Sequence, residues 1–468
     1  MTLTAAPPVR LGTARGRWLL ATAVIGSGMA FLDGTVVNVA LRPIGTDTGA
    51  SLGDLQWVVN GYLLSLAALI LIGGSLGDRF GRRRVFVIGV TWFGTASVLC
   101  GLAPGPLPLI AARVLQGIGA ALLTPGSLAM ISSSFAPTDR ARAIGAWSGL
   151  AGVTTALGPL LGGWLVEYAS WRFVFFINVP LTVLVVVVAL RHVPETRDVE
   201  AAPHFDLVGA GLGAVGLAGV TYALIQAGTV SALTVTLAAV VGVAALATFV
   251  GVERRARIPM VPPSLFASRI FSTCNALTFV VYGALGALGF MLVLQLQVVA
   301  GYSPLQAGLA TVPITVLMLL FSSRAGALAQ RVGPRWLMTV GPLVAAVGTL
   351  ALRGAGGGGS YWTAVFPGVA AFGVGLVLLV APLTATVLAA SPDRYAGIAS
   401  GVNNAVARAG SLLAVAALPV AVGLSGRDYQ DPAAFGAGYR AAMLVCAVLL
   451  ALGGLFAAVG LRQTSPAT

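Results

Sequence analysis

GSLGDRFGRRR, Gly74 to Arg84, returns later in the chain as GALAQRVGPRW, Gly326 to Trp336. Gly74/Gly326, Leu76/Leu328, Arg79/Arg331, Gly81/Gly333 and Arg83/Arg335 coincide, and each copy joins two long apolar stretches. A second echo follows: Asp139-Arg140 with Ile144 against Asp393-Arg394 with Ile398. The offsets are 326 − 74 = 252 and 393 − 139 = 254, so the two echoes differ by only two residues. Two matches in order at nearly one offset make the chain two related halves. Internal repeats of this kind occur in membrane proteins that alternate access across the bilayer.

The composition agrees with a membrane location. Of 468 residues, 57% are apolar and 9% charged, too little charge for an ordinary soluble domain. Apolar runs of about 20 residues span a bilayer core. There are fourteen, at roughly 18–41, 54–77, 84–103, 106–130, 143–166, 171–190, 207–227, 231–252, 270–299, 304–323, 336–353, 361–390, 395–424 and 438–461. Run length selects helices over a barrel, whose strands are short and alternating. The expected organisation is a six-helix half over 1–190, linkers and two inserted spans over 191–268, and a second six-helix half over 269–468. Residues 1–17 are polar and precede a span too long for a removed signal peptide.

The net charge of +13 contains no Lys; every basic residue except the two His is Arg. With the N-terminus inside, about twenty of the 27 Arg fall in inner loops and tails, among them Arg191, Arg197, Arg254, Arg255 and Arg257. Arg42, Arg172, Arg353, Arg427 and Arg440 fall outside. This bias places both termini in the cytoplasm and accounts for the charge without nucleic acid. His192 and His204 lie in the 191–206 linker, far in sequence from other ligands, and Cys100, Cys274 and Cys446 lie within spans without metal or disulfide spacing. No metal or cofactor is expected. No phosphate-binding loop is present and no Lys could complete one, so ATP is not the direct energy source.

Several motifs, in shared order, resemble the fourteen-helix drug:proton antiporters of the major facilitator superfamily. They are LDGTVVNVAL (Leu32–Leu41), the loop Gly74–Arg84, LIAARVLQGIGAALLTPG around Arg113, Gly158-Pro159-Leu160-Leu161-Gly162-Gly163, WRFVFFINVP, and Gln297 followed by GYSPLQAGL. The resemblance covers almost the entire chain. It implies an all-α integral membrane protein of the bacterial cytoplasmic membrane, a monomer exchanging protons for hydrophobic or amphipathic, often cationic, small molecules. A dedicated exporter of one antibiotic or lipid fits the same motifs. Three positions depart from the family pattern: Arg42 before Pro43, Gln295 where an aromatic is common, and Gln330 where Asp78 stands in the first copy.

Ionisable residues inside a bilayer are costly and are functional candidates by default. At 1.5 Å rise per residue, Asp33 lies roughly 22 Å up a core of about 30 Å, Arg113 about 9 Å below the outer edge, and Arg408 roughly 20 Å from the inner face. All three fall in the outer half, which permits an Asp33–Arg113 pair. Burial raises a carboxyl's pKa and a neighbouring Arg lowers it, so Asp33 is the expected proton site and Arg113 its partner. Glu167 reads as a secondary coupling acid, an outer cap, or a partner of Arg172. Arg408 reads as a secondary coupling residue, as setting cavity polarity, or as pairing within its half. The resemblance implies that Asp78 and Arg82, with Gly74, Arg79 and Gly81, gate the cytoplasmic side against the helix beginning near Arg394. A carboxylate at Asp78 suits a helix N-terminus.

Small residues Gly145, Gly149, Gly152, Ala156 and Gly163 share one face of span 5, and Gly158-Pro159 adds a bend. That face is either a sliding surface or static packing. Candidate cavity residues are Asn38, Asn60, Tyr62, Gln116, Phe279, Tyr282, Gln295, Gln297, Asn403 and Asn404. An intramembrane enzyme would need a catalytic set at membrane depth, and the sequence supplies none.

Overall fold

A computed structural model describes residues 9–198, 206–256, 259–356, 358–392 and 395–461. Glu200, His204, Arg257, Asp393 and Arg394 lie outside the described residues, as do the side chains at Gly152 and Ala156. Fourteen long helices run in order among the described residues. They are α1 (Ala14–Thr48), α2 (Leu52–Phe80), α3 (Arg82–Leu102), α4 (Pro106–Ser134), α5 (Pro137–Tyr168), α6 (Phe173–His192, broken at Ile177) and α7 (Leu207–Ile225). There follow α8 (Ala232–Arg255), α9 (Arg269–Val298), α10 (Pro304–Val332), α11 (Pro334–Ala351), α12 (Phe366–Ala389), α13 (Ala396–Ala421) and α14 (Pro432–Gly460). All but α5 are long and apolar enough to cross a membrane by length and composition among the described residues. With an even number of spans, α1 begins and α14 ends on one face, the near face; the opposite one is the far face.

The expected runs are present, and several helices extend beyond their apolar cores. α1 continues through Pro43 to Thr48 and closes on Gly49 in the left-handed region at φ 68°. α2 starts with a capping box in which Ser51 and Asp54 satisfy each other's backbone. α10 starts the same way with Ser303 and Gln306, aided by Pro304. These boxes are 303 − 51 = 252 residues apart, the offset of the loop repeat. Gly49 and Gly301 (φ 71°), and Gly81 (φ 109°) and Gly333 (φ 88°), keep that offset too. The repeat therefore runs from the end of α1 into α3.

Packing repeats as well. α2 and α3 lie on α4, as α10 and α11 lie on α12; α1 lies on α5, as α9 lies on α13. The inserted pair α7 and α8 approach closely through Gly219 and Gly242, and α7 leans on both α2 and α13. It thus covers the flank of the seam where the two helix sets meet, rather than standing apart.

The α2–α3 turn at Gly81 is held from outside. A Cβ there would lie 2.7 Å from Glu195 Oε1, on the strap that follows α6, whereas Gly333 has nothing within 4 Å. Both turns carry a positive φ that costs an L-residue about 1–3 kcal/mol. Gly81→Ala is expected to lower the thermal midpoint in detergent clearly more than Gly333→Ala, since only the first also displaces Glu195. Equal losses would contradict the strap's role.

Candidate functional site

Asp33 and Arg113 form an ion pair inside the first helix set, at 0% and 1% exposure. α4 brings Arg113 there because Gly117, one turn on, lets α2 approach: a Cβ at Gly117 would lie 2.1 Å from Ser65 Oγ. Arg113 Nε donates to the Val58 carbonyl at 2.9 Å, and Nη1 also donates to Gln116 Oε1 at 2.6 Å. The guanidinium carbon lies 4.5 Å from the Tyr62 ring centroid and 5.8 Å from that of Phe175. Gln116 Nε2 donates to Asp33 Oδ1 (2.8 Å) and Ser97 Oγ (2.7 Å). Asn178 Nδ2 donates to Ser97 Oγ at 3.2 Å and reaches Asp33 Oδ1 at 3.5 Å. Five helices, α1, α2, α3, α4 and α6, thus meet at one buried polar centre.

Sequence reasoning named Asp33, Arg113, Gln116 and Tyr62, but assigned the last two to a cavity. It missed Ser97 and Asn178, single polar residues in apolar runs; Asn178 stands inside the quoted WRFVFFINVP. Tyr62 is buried and its hydroxyl donates to the Ala30 carbonyl at 3.0 Å.

The far face is sealed between the helix sets. Gln297 Nε2 donates to the Val39 carbonyl at 2.9 Å, and Arg42 returns a bond to the Gln297 carbonyl. Gln56 Nε2 donates to the carbonyls of Val415 (2.7 Å) and Ala416 (3.1 Å), and Tyr429 donates to Ala50 (2.8 Å). Glu167 accepts from Ser303 Oγ (2.6 Å) and the Leu305 amide (3.1 Å), so it caps the N-terminus of α10. Arg172 is paired instead with Asp47 at 2.7 Å.

The Gly-Pro motif of α5 lies in this seal. Gly158 and Gly162 press on Thr35 and Val36 of α1. A Cβ at Gly163 would lie 2.6 Å from Leu305 Cα, and one at Gly308 would lie 2.2 Å from the Pro159 carbonyl oxygen. Earlier on the stripe that Gly163 ends, Gly145 and Gly149 have nothing within 4 Å of their Cβ positions. One stripe is therefore clamped at the far face and uncovered at Gly145 and Gly149, toward the near face.

At the near face Asp78 Oδ1 accepts from Arg82 Nε (2.8 Å) and Nη2 (2.7 Å). Asp78's carbonyl accepts from the Asp198 amide and Arg82's amide donates to Thr196. The carboxylate seated on a helix N-terminus here is Glu195, accepting from the amides of Arg83 and Arg84 at 3.1 Å each. Sequence reasoning gave that place to Asp78. Glu195 lies 112 residues from Arg83, a separation that no local spacing reveals. The expected contact near Arg394 lies outside the described residues.

The remaining cavity candidates divide. Gln295 is buried and donates to the Ala355 carbonyl at 2.7 Å, so it and Gln297 tie backbone near the far face instead of facing open space. Asn403 links α13 to α9 through Asn275 Oδ1 (3.2 Å) and Thr278 Oγ1 (2.8 Å). Asn60 is fully buried with neither amide atom paired. Asn38 and Tyr282 are half-buried, and Phe279 and Asn404 are exposed. Among the described residues no group of His, Cys, Asp and Glu has the arrangement of a metal site.

The sequence matches the Major Facilitator Superfamily over residues 23–415 and again over 274–468. The chain belongs to this superfamily. Similar relatives include the puromycin resistance protein pur8 of Streptomyces alboniger, 37% identical over 86% of this chain and 80% of that protein. The tetracenomycin C resistance and export protein of Streptomyces glaucescens is 36% identical over 87% and 76%. The methylenomycin A resistance protein of Bacillus subtilis is 34% identical over 92% of each. Among solved structures, an inward-facing, unoccupied bacterial homologue of human lysosomal Spinster superposes with a TM-score of 0.66 at 19% identity, covering 96% of this chain and 98% of that one. The protein is a multi-pass membrane transporter of the major facilitator fold, and the resemblance seen in its motifs holds.

Two outcomes follow for this transporter. Removing one member of a buried ion pair costs about 3–5 kcal/mol, because it strands the other charge. Arg113→Met and Asp33→Leu are each expected to lower the melting temperature in detergent, and the double variant by less than their sum; strict additivity would contradict the pairing. Loss of a helix N-cap costs about 1 kcal/mol, roughly a five-fold change in an equilibrium. Glu167→Ala should therefore lengthen part of the distance distribution between spin labels at the exposed positions Trp164 and Leu309. An unchanged distribution would remove Glu167 from the seal.

Proposed function

We propose that the protein exports hydrophobic or amphipathic small molecules from the cytoplasm in exchange for protons, by alternating access. The Arg bias makes the near face cytoplasmic, with both termini there, in a bacterial cytoplasmic membrane. The supporting observation is the buried Asp33–Arg113 centre, with Asp33 on the same helix that forms the far-face seal. α1 carries Asp33 into the centre and, farther along, Thr35, Val36, Val39 and Arg42 into the seal.

The coupling follows from charge. While Asp33 is ionised it holds Arg113, Gln116 and, through Ser97, Asn178 around α1. A proton on Asp33 removes the ion pair, leaves Arg113 bonded to Val58 and Gln116, and loosens α1 from α4 and α6. The α1 contacts at the seal then part, and the cleft opens to the other side. A proton moving inward through 100 mV supplies about 2.3 kcal/mol toward outward transport. The protein acts as a monomer, since this route lies within one chain, and Asp78, Arg79 and Arg82 hold the near-face turn that gates it.

The three relatives above are each named for one antibiotic, so a dedicated exporter of a single compound is the second reading; a substrate panel in an efflux-deficient cell separates the two. The coupling itself is tested with Asp33→Asn in proteoliposomes. Proton flux driven by substrate is expected to fall at least about tenfold, while substrate counterflow without a gradient persists. Normal coupled flux in this variant would falsify the assignment.

A further inference from the structure

Among the described residues outside the inserted pair, Asp33 is the one buried carboxylate, and it, Glu167, Asp54 and Asp47 are all engaged. Asp33 is held by Arg113, Gln116 and Asn178; Glu167 caps α10; Asp54 completes its capping box; Asp47 pairs with Arg172. In the inserted pair, Glu253 at the near end of α8 accepts from the Val261 amide beside Asp206. Arg408 has none of these acids. Among the described residues it makes no hydrogen bond and no ion pair.

Its place is interior. α2 and α13 run antiparallel in register: Gln56 meets Ala416 and Leu71 meets Gly401, with 71 − 56 = 15 and 416 − 401 = 15. Gly401, Ala405, Arg408 and Leu412 are spaced four, three and four apart, so they share the α13 stripe toward α2. Ala405 and Leu412 accordingly join the apolar cluster of Tyr62, Leu63 and Leu66. Arg408 is half-buried and within electrostatic reach of the phenols of Tyr62 on α2 and Tyr282 on α9. α7 leans on both α2 and α13 along this seam, so Arg408 lies half-buried where the two helix sets meet.

A guanidinium stays charged in proteins, and an unpaired charge at membrane depth is costly. We propose that the counter-charge of Arg408 is the substrate's, and that the transported compounds are amphipathic acids: an apolar ring system bearing a carboxylate or an ionised enol or phenol. The planar guanidinium takes a carboxylate through two parallel bonds, and the half-buried ring of Tyr282, within its electrostatic reach, supplies an aromatic surface beside it. Among the described residues Arg408 pairs with no carboxylate that could offer the reverse preference for amines. The proposal rests on the exporter reading above, narrows its substrate class, and reverses the cationic preference expected from resemblance.

The test uses full-length protein in detergent and three fluorescent probes with one ring system: dansylglycine (acid), dansylamide (neutral) and dansylcadaverine (amine). Wild type is expected to bind the acid at least about tenfold more tightly than the amine, with the neutral probe between. Arg408→Gln should cut the acid-to-neutral affinity ratio about tenfold, and Arg408→Lys should keep most of it. An unchanged ratio in Arg408→Gln, or tightest binding of the amine by wild type, overturns the proposal. Binding and export of the neutral probe with no acid preference overturns this proposal alone. Failure of wild type to bind any of the three overturns the exporter reading with it.

Discussion

A charge in the interior of a bilayer has to be answered by another charge or by fixed hydrogen bonds, and the first helix set is arranged around one such answer. Asp33 and Arg113 occupy a point where five helices converge, with the guanidinium also tied to Val58, Gln116 and the Tyr62 face. A buried ion pair of this kind adds little net stability over well-packed apolar residues. On the proposed reading its value lies in having two states that differ by a proton. The glycines of α4 are part of the same constraint, because α2 must come close enough for its backbone to complete the shell of Arg113.

The two helix sets share a scaffold and differ in charge. Gly49/Gly301, Ser51/Ser303 and Gly81/Gly333 keep the turns and caps at an offset of 252 residues. At the same offset Asp54 becomes Gln306, Asp78 becomes Gln330, Asp33 becomes Leu285 and Arg113 becomes Val365. Caps survive the change because an amide oxygen accepts a backbone bond as a carboxylate does. The ion pair does not survive it. Geometry is thus common to both sets, and the buried ion pair belongs to the first.

That division explains what could be read in advance. Span number, the repeat and the Asp33–Arg113 pair were legible because hydropathy, spacing and depth each follow from one helix at a time. The roles of Glu167 and Glu195 were not legible, since each carboxylate caps a helix distant in sequence. Gln295 and Gln297 illustrate the same limit. In a list of polar residues an amide facing solvent and an amide holding a carbonyl look alike, and only packing separates them. Ser97 and Asn178 escaped notice because a small polar residue in an apolar run carries no periodic signal.

The placement of the two interior arginines has an electrical consequence. On the proposed reading, Arg113 is neutralised within its own helix set and the cleft takes its sign from Arg408. An acid leaving the cytoplasm moves a negative charge out of a negative interior, down the membrane potential, while a proton entering through Asp33 moves down the same potential. Both movements then draw on one field, and neither opposes the other. With a cationic substrate the two charges would cancel, and the cleft would have to bind a like charge beside Arg408. Between these arrangements, the one that leaves no charge unanswered is the exchange of an amphipathic anion for a proton.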